Sequence, residues 1–330
     1  MDRRYFDQRI TVQYARPMSS PAKIASSTSS QKLRLIASLL VLLSAICFSG
    51  KAILVKLAYR HDIDSVSLLT LRMIFSLPFF LFNAWIGKQR HKKSGNYEPL
   101  SWRDWLKITA LGLTGYYIAS LFDFMGLQYI TAGLERLILF LYPTMVLLLS
   151  SFFLRKAITR TQVIALLLTY GGVAMALLDP SQLGGSNVPL GAALIFGSGL
   201  AYAVYMVGST KFIVRMGPMR YTSTAMIAAS AAIILHHGVV YQWQLWDYPA
   251  EVYWLVLAMA IFATVLPTLL VSEGIRVIGA GNTAIISSVG PVATIVMGYI
   301  FLGESFGGWQ IPGTLLVLAG VLWISGVKKT

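Results

Sequence analysis

Apolar residues run through this chain in long unbroken blocks rather than in the two-residue alternation of a membrane barrel strand. Ten such blocks lie near 33–58, 65–87, 104–124, 131–154, 161–179, 188–210, 220–240, 252–272, 280–302 and 309–326. A helix needs roughly 20 mostly apolar residues to cross about 30 Å of hydrocarbon, so each block predicts a transmembrane helix, the form that satisfies its own backbone in lipid. The connections are short and carry helix breakers: Asp179-Pro180, Gly184-Gly185-Ser186, Gly217-Pro218 and Gly307-Gly308. Residues 1–32 break the pattern. They hold basic residues and a serine-rich run with no apolar block, and read as a disordered cytoplasmic tail rather than a cleaved targeting peptide, because the apolar stretch that follows is too long for a signal core.

Composition agrees. Of 330 residues, 56% are hydrophobic and 12% charged, against the 45–50% and about 25% of soluble domains, and the mean hydropathy is +0.67. The single cysteine, Cys47, excludes an internal disulfide and a cysteine zinc site, and the four histidines show no H-x-x-x-H spacing. The net charge of +14 invites a nucleic-acid reading until it is placed on the topology. Numbering the loops alternately, 22 Lys and Arg fall on the side of the N-terminal tail and one, Arg60, on the other. The positive-inside rule makes both termini cytoplasmic and the number of spans even. Gly50-Lys51 resembles the end of a phosphate loop, but Ala45 and Ala52 stand where glycine and Ser/Thr are needed. No nucleotide-binding segment is present, and no cofactor is implied.

A repeat is hidden in the chain. Shifting the sequence by 148 residues aligns 126–173 with 274–321 without gaps and with 13 identities in 48 positions, among them Ala132/Ala280, Gly133/Gly281, Pro143/Pro291, Gln162/Gln310 and Gly172/Gly320. Helices 4–5 thus correspond to helices 9–10, dividing the chain into a tail at 1–32, a first five-helix repeat at 33–179 and a second at 180–330. Five is odd, so the second copy enters the membrane from the opposite side. Inverted repeats are the architecture of secondary transporters, whose substrate sites lie near the midplane between the repeats.

The stretch from Gly274-Ile275-Arg276 through Ala280-Gly281, Pro291 and Leu302-Gly303-Glu304 to Gln310 and Gly320 resembles the EamA-domain signature of the drug/metabolite transporter superfamily. The first copy is similar over Ala132-Gly133-Leu134-Glu135-Arg136 and Leu141-Tyr142-Pro143, and departs at Leu154-Arg155-Lys156, where Leu-Gly-Glu is expected. The resemblance covers residues 35–326. It implies an all-α integral membrane protein of ten transmembrane helices in two inverted five-helix repeats, moving a metabolite or drug without ATP, commonly outward.

Ionisable residues inside a membrane are costly and are candidates for function. Lys51 and Lys56 lie in helix 1, Arg72 in helix 2, and Glu135 and Arg136 in helix 4. At 1.5 Å per residue, Lys51, Arg72 and Glu135 share the extracytoplasmic half of the membrane, roughly 7–12 Å from its edge. They describe either a polar pocket for an anionic or zwitterionic group or a set of structural ion pairs. Lys56 and Arg136 are long enough to snorkel to headgroups. Tyr116 sits at comparable depth to Lys51, while Tyr202, Tyr205 and Trp254 are aromatic candidates for a cavity wall, for packing or for an interface belt, and His236 and His237 are expected at the interface. Thr283 and Ala284 replace Glu135 and Arg136 in the second copy, with Asn282, Ser287 and Ser288 as polar neighbours. Pro143 and Pro291, at equivalent positions, are hinge candidates.

The substrate-binding and coupling candidates are therefore Lys51, Arg72, Tyr116, Glu135, Tyr202, Asn282 and Ser287, with no catalytic or metal residue. Burial disfavours an ionised Glu135 and a nearby cation favours it, which makes this carboxyl the candidate link between substrate and protonation. The expected protein is a multi-pass carrier of the inner (cell) membrane exporting an amino acid or organic anion by alternating access. Its partners are a small-molecule substrate, membrane lipids and protons or a counter-substrate, with no nucleic acid. Alternatives are a sugar-phosphate or nucleotide-sugar exchanger on the same fold, favoured by one cluster of inner cations, and an intramembrane enzyme, which requires a converging nucleophile and base.

Overall fold

A computed structural model describes residues 27–93, 100–142, 144–146, 148–149, 160–178, 187–271, 289–304 and 307–326, together with 274, 277, 278 and 286. Among these residues the chain forms helices and turns and no strand. The helices are α1 Ser27–Tyr59, α2 Ser65–Lys93, α3 Trp102–Gly126, α4 Ala132–Leu139, α5 Arg160–Leu177, α6 Val188–Met216, α7 Pro218–Tyr241, α8 Ala250–Val271, α9 Gly290–Leu302 and α10 Gln310–Gly326. Six of them, α1, α2, α3, α6, α7 and α8, are long and apolar enough to cross a membrane, while parts of α5, α9 and α10 form shorter apolar helices.

Local chemistry sets the helix starts. Asp64 accepts from the backbone N–H of Val66 and Ser67 at the head of α2. Ser101 and Asp104 exchange bonds in a capping box at α3. Thr131 caps α4, and Asn187 caps α6. Gly217, at φ +78°, ends α6, and Pro218 opens α7, where its missing N–H costs nothing. The head of α1 differs from expectation: the helix begins at Ser27, inside the stretch read as tail. Extending an existing helix gains a hydrogen bond for each residue fixed, so the apolar segment carries its polar head along. The tail at 1–26 lies outside the described residues.

Large apolar side chains cover much of the outside, and small polar side chains are set into an apolar core. On α1, Leu39, Leu43 and Ile46 are exposed while Ser44 and Ser49 are buried. This is the reverse of a soluble helix and suits a hydrocarbon solvent, in which small polar side chains join helices by hydrogen bonds. Ser44 donates to the carbonyl of Pro267 (3.0 Å) and Ser49 to that of Gly290 (2.9 Å), tying α1 to α8 and α9.

Much of the packing follows an exchange pattern, although the α1–α4, α2–α3 and α6–α7 contacts have no counterpart of similar extent among the described residues. Helix α5 packs on α10, α2 on α7 and α4 on α9; α3 meets α6 as α8 meets α1, α1 meets α9 as α6 meets α4, and α3 meets α7 as α8 meets α2. Each statement survives replacing every helix by the one five places away. The register agrees: α3 starts at Trp102 and α8 at Ala250, 148 residues later. Each helix widens into one π turn, beginning at Leu113 and at Ile261, again 148 residues apart. Pro267 follows the second turn, but Ala119 follows the first, so the missing proline donor is not what makes the bulge.

Candidate functional site

The sequence-predicted charges meet where α1, α3 and α4 converge. Lys51 shares the interior face of α1 with Ser44 and Val55, at spacings of seven and four residues. Its Nζ donates to Glu135 Oε1 of α4 at 3.0 Å and to Asp123 Oδ2 of α3. Asp123 and Glu135 are buried and lie within electrostatic reach of each other. Among the described residues, neither Asp123 Oδ1 nor Glu135 Oε2 finds a hydrogen-bond donor. One ammonium thus bridges two carboxylates, with the Arg72 and Arg136 guanidiniums also within electrostatic reach of the pair.

Arg72 comes from α2 on the other side of α3. Its Nη2 donates to Ser120 Oγ at 3.2 Å, and its guanidinium lies 5.0 Å over the Phe124 ring. Tyr116, Ser120 and Asp123 fall at i, i+4 and i+7 along α3, so one helix face presents all three. Tyr59 of α1 secures the end of that face by donating to the Phe124 carbonyl at 2.6 Å. The positions 148 residues on are Thr264, Thr268 and Val271. Thr264 and Thr268 turn back onto carbonyls of their own helix. Near the same bulge, polar groups bond to other helices in one copy, and two threonines bond back along their own helix in the other.

Tyr116 and Tyr202 belong to a neighbouring group, about two helical turns from Asp123 along α3. The Tyr116 hydroxyl lies 3.1 Å from that of Tyr205, and the rings pack in the succession Tyr142–Tyr202–Tyr205–Tyr221. This cluster joins α3, α6 and α7 to the segment that follows α4. Asn282, Ser287 and Pro143 lie outside the described residues. Pro291 stands in the first turn of α9, where it starts a described helix rather than interrupting one.

Two expectations need correction. Arg136 does not snorkel: its Nε is buried and its Nη2 presses on Gly290, where a Cβ would lie 2.9 Å away. The histidines are not merely interfacial. His236 Nδ1 pairs with the Tyr117 hydroxyl at 2.8 Å, and the fully buried His237 pairs through Nε2 with Ser67 Oγ at 3.0 Å. Trp254 is 70% exposed and shares an open surface groove with Arg60, His61 and Glu251. Asp123 escapes the sequence reading because it sits one residue from the expected end of its span at 124. The available signal was its spacing from Tyr116 and Ser120.

Lys51 bonds to two carboxylates, and Arg72 is held by Ser120 and Phe124. Among the described residues no grouping of three His, Cys, Asp or Glu could hold a metal ion.

The sequence profile of the EamA-like transporter family matches the chain twice, at residues 35–178 and 189–326. This chain belongs to the EamA-like transporter family. It is similar to the uncharacterized transporter YcbK of Bacillus subtilis, with 32% identity across 83% of this chain and 87% of that one. It is also similar to the threonine/homoserine exporter RhtA of Salmonella typhimurium, with 32% identity over 41% of this chain and 45% of that one. A solved crystal structure shares the fold at a TM-score of 0.58 and 18% identity, covering 88% of this chain and 96% of its own. An EamA-like chain is an integral membrane transporter, not an enzyme.

Proposed function

We propose that this chain is a secondary exporter of a small organic metabolite, with a threonine-like amino acid as the first candidate. It works by alternating access between two inverted five-helix halves in the inner (cell) membrane, both termini being cytoplasmic. The reading rests on Lys51, held between Asp123 and Glu135 where α1, α3 and α4 meet. A zwitterion brings its own ammonium to the carboxylates and its own carboxylate to Lys51, so it exchanges partners without leaving a buried charge alone. Glu135, with Asp123 beside it, takes up the proton when the substrate leaves. The exchange symmetry of the packing, the shared π turns and the double family match support the inverted halves, and the 22-to-one cation count supports the orientation. The similarity to RhtA supports the amino-acid class.

Purified protein in liposomes, screened for release of labelled threonine, homoserine and a set of organic anions, tests the reading. Saturable release of an amino acid that is lost in Lys51→Met is the expected result. Release of organic anions alone, unchanged in Lys51→Met, overturns the substrate assignment and the site together.

A further inference from the structure

Glu304 stands outside the charged site, in the Leu302-Gly303-Glu304 motif at the end of α9. Gly303, at φ +68°, turns the chain, and the Glu304 N–H bonds back to the Gly298 carbonyl at 3.2 Å. This throws the side chain over Gly298, where a Cβ would lie 2.8 Å from Oε2. The carboxylate then reaches across to the first turn of α4. Oε1 accepts from the Ala132 N–H at 2.9 Å, and Oε2 lies 3.5 Å from the Gly133 nitrogen. Gly133 is pressed against Gln310, whose Nε2 would stand 2.7 Å from an added Cβ. Lys56 of α1 lies within electrostatic reach of Glu304. Two N–H groups at the head of α4 are therefore satisfied by a residue 172 and 171 positions away, in the other half of the chain. Three residues on from Ala132, the same helix carries Glu135.

The repeat gives each of these residues a counterpart 148 positions away: Ala280 and Gly281 for Ala132 and Gly133, Gln162 for Gln310, and Lys156 for Glu304. The Ala-Gly pair and the glutamine are kept in the sequence, but the acceptor is replaced by a donor. An ammonium cannot accept from an N–H, and the positive end of a helix repels it. In the topology proposed above, the Glu304 contact closes the extracytoplasmic side and the Lys156 position belongs to the cytoplasmic side.

We propose that Glu304 is a positioning residue that latches one gate only. It holds the head of α4 against the end of α9, so the resting carrier is shut toward the outside and loads from the cytoplasm. Opening outward requires Glu304 to release Ala132 and Gly133, which frees the helix that carries Glu135 and links the outer gate to the charged site. This inference rests on the inverted-repeat reading, but its test reads gate position rather than transport.

The experiment places a single reporter, Ser120→Cys, beside Arg72 in a Cys47→Ala background and measures labelling by a membrane-impermeant maleimide from each face of oriented vesicles. The expected result is slow labelling from outside in the otherwise native chain, rising about tenfold in Glu304→Gln as the charge-assisted bonds are lost. Glu304→Asp, which keeps the charge, retains part of the protection. Ala132→Pro, at a first helical position where proline is tolerated, removes the N–H that Glu304 Oε1 accepts and raises outside labelling in the same sense. Unchanged outside labelling in Glu304→Gln, or in Ala132→Pro where Glu304→Gln does not insert, reduces Glu304 to a helix cap and overturns the proposal. If labelling shifts as expected but no substrate moves in liposomes, the latch stands and the functional reading fails.

Discussion

Helices α5 and α10 meet backbone to backbone at Gly172 and Gly313, and the contact allows a prediction with its own control. A Cβ built on Gly172 lies 2.5 Å from the Gly313 carbonyl oxygen and 2.9 Å from Val317, and one built on Gly313 lies 2.5 Å from the Gly172 oxygen. To bring Gly172→Ala from 2.5 Å to ordinary contact at 3.4 Å, the helices must part by roughly 0.9 Å, with a cost of about 1–3 kcal/mol for overpacking a close-packed contact. Alanine also gains about 1 kcal/mol over glycine in helix propensity. Gly171 receives the same gain, and its added Cβ meets nothing within 4 Å. The difference between Gly172→Ala and Gly171→Ala is therefore about 1–3 kcal/mol, with propensity cancelled. Denaturant unfolding of purified protein in micelles, followed by circular dichroism, measures it. Gly171→Ala should match or exceed the native midpoint, and Gly172→Ala should fall clearly below it. Equal midpoints for the two variants refute the backbone contact and the close α5–α10 joint.

Other consequences can be checked in the same preparation. Lys51→Met leaves two buried carboxylates facing one another, so a loss of about 3–5 kcal/mol is expected; adding Asp123→Asn and Glu135→Gln should recover most of the stability without recovering transport. Ser101→Ala removes half of the α3 capping box and should cost about 1 kcal/mol in unfolding. Gly115→Ala drives a methyl to 2.3 Å from the Tyr205 ring; its destabilisation should shrink in a Tyr205→Ala background, as a double-mutant cycle will show for residues in contact.

The helices were legible because lipid imposes a length and a polarity that the chain cannot disguise. Block 252–272 became Ala250–Val271 and block 104–124 became Trp102–Gly126. The 148-residue offset, found from identities beyond residue 126, extends back to the starts of α3 and α8, where few residues still match. Lys51 and Glu135 could be singled out because charge in hydrocarbon needs a partner. What one sequence withholds is helical phase. Arg136 has the length to reach headgroups, and only packing against Gly290 shows that it turns inward. His236 and His237 stand near a helix end, yet their neighbours Tyr117 and Ser67 come from α3 and α2 and leave no trace in local spacing. Asp123 was hidden by an uncertainty of two residues at the end of a span, enough to turn a buried carboxylate into a loop acid.

The central claim is that the carboxylate facing Lys51 links substrate movement to a proton. The direct measurement is labelled amino-acid accumulation in proteoliposomes under an imposed pH gradient, compared with exchange at equilibrium, for the native chain and Glu135→Gln. The native chain should do both. Glu135→Gln should keep exchange and lose gradient-driven accumulation. Native-level accumulation by Glu135→Gln contradicts the claim and leaves Glu135 as one member of a structural ion pair.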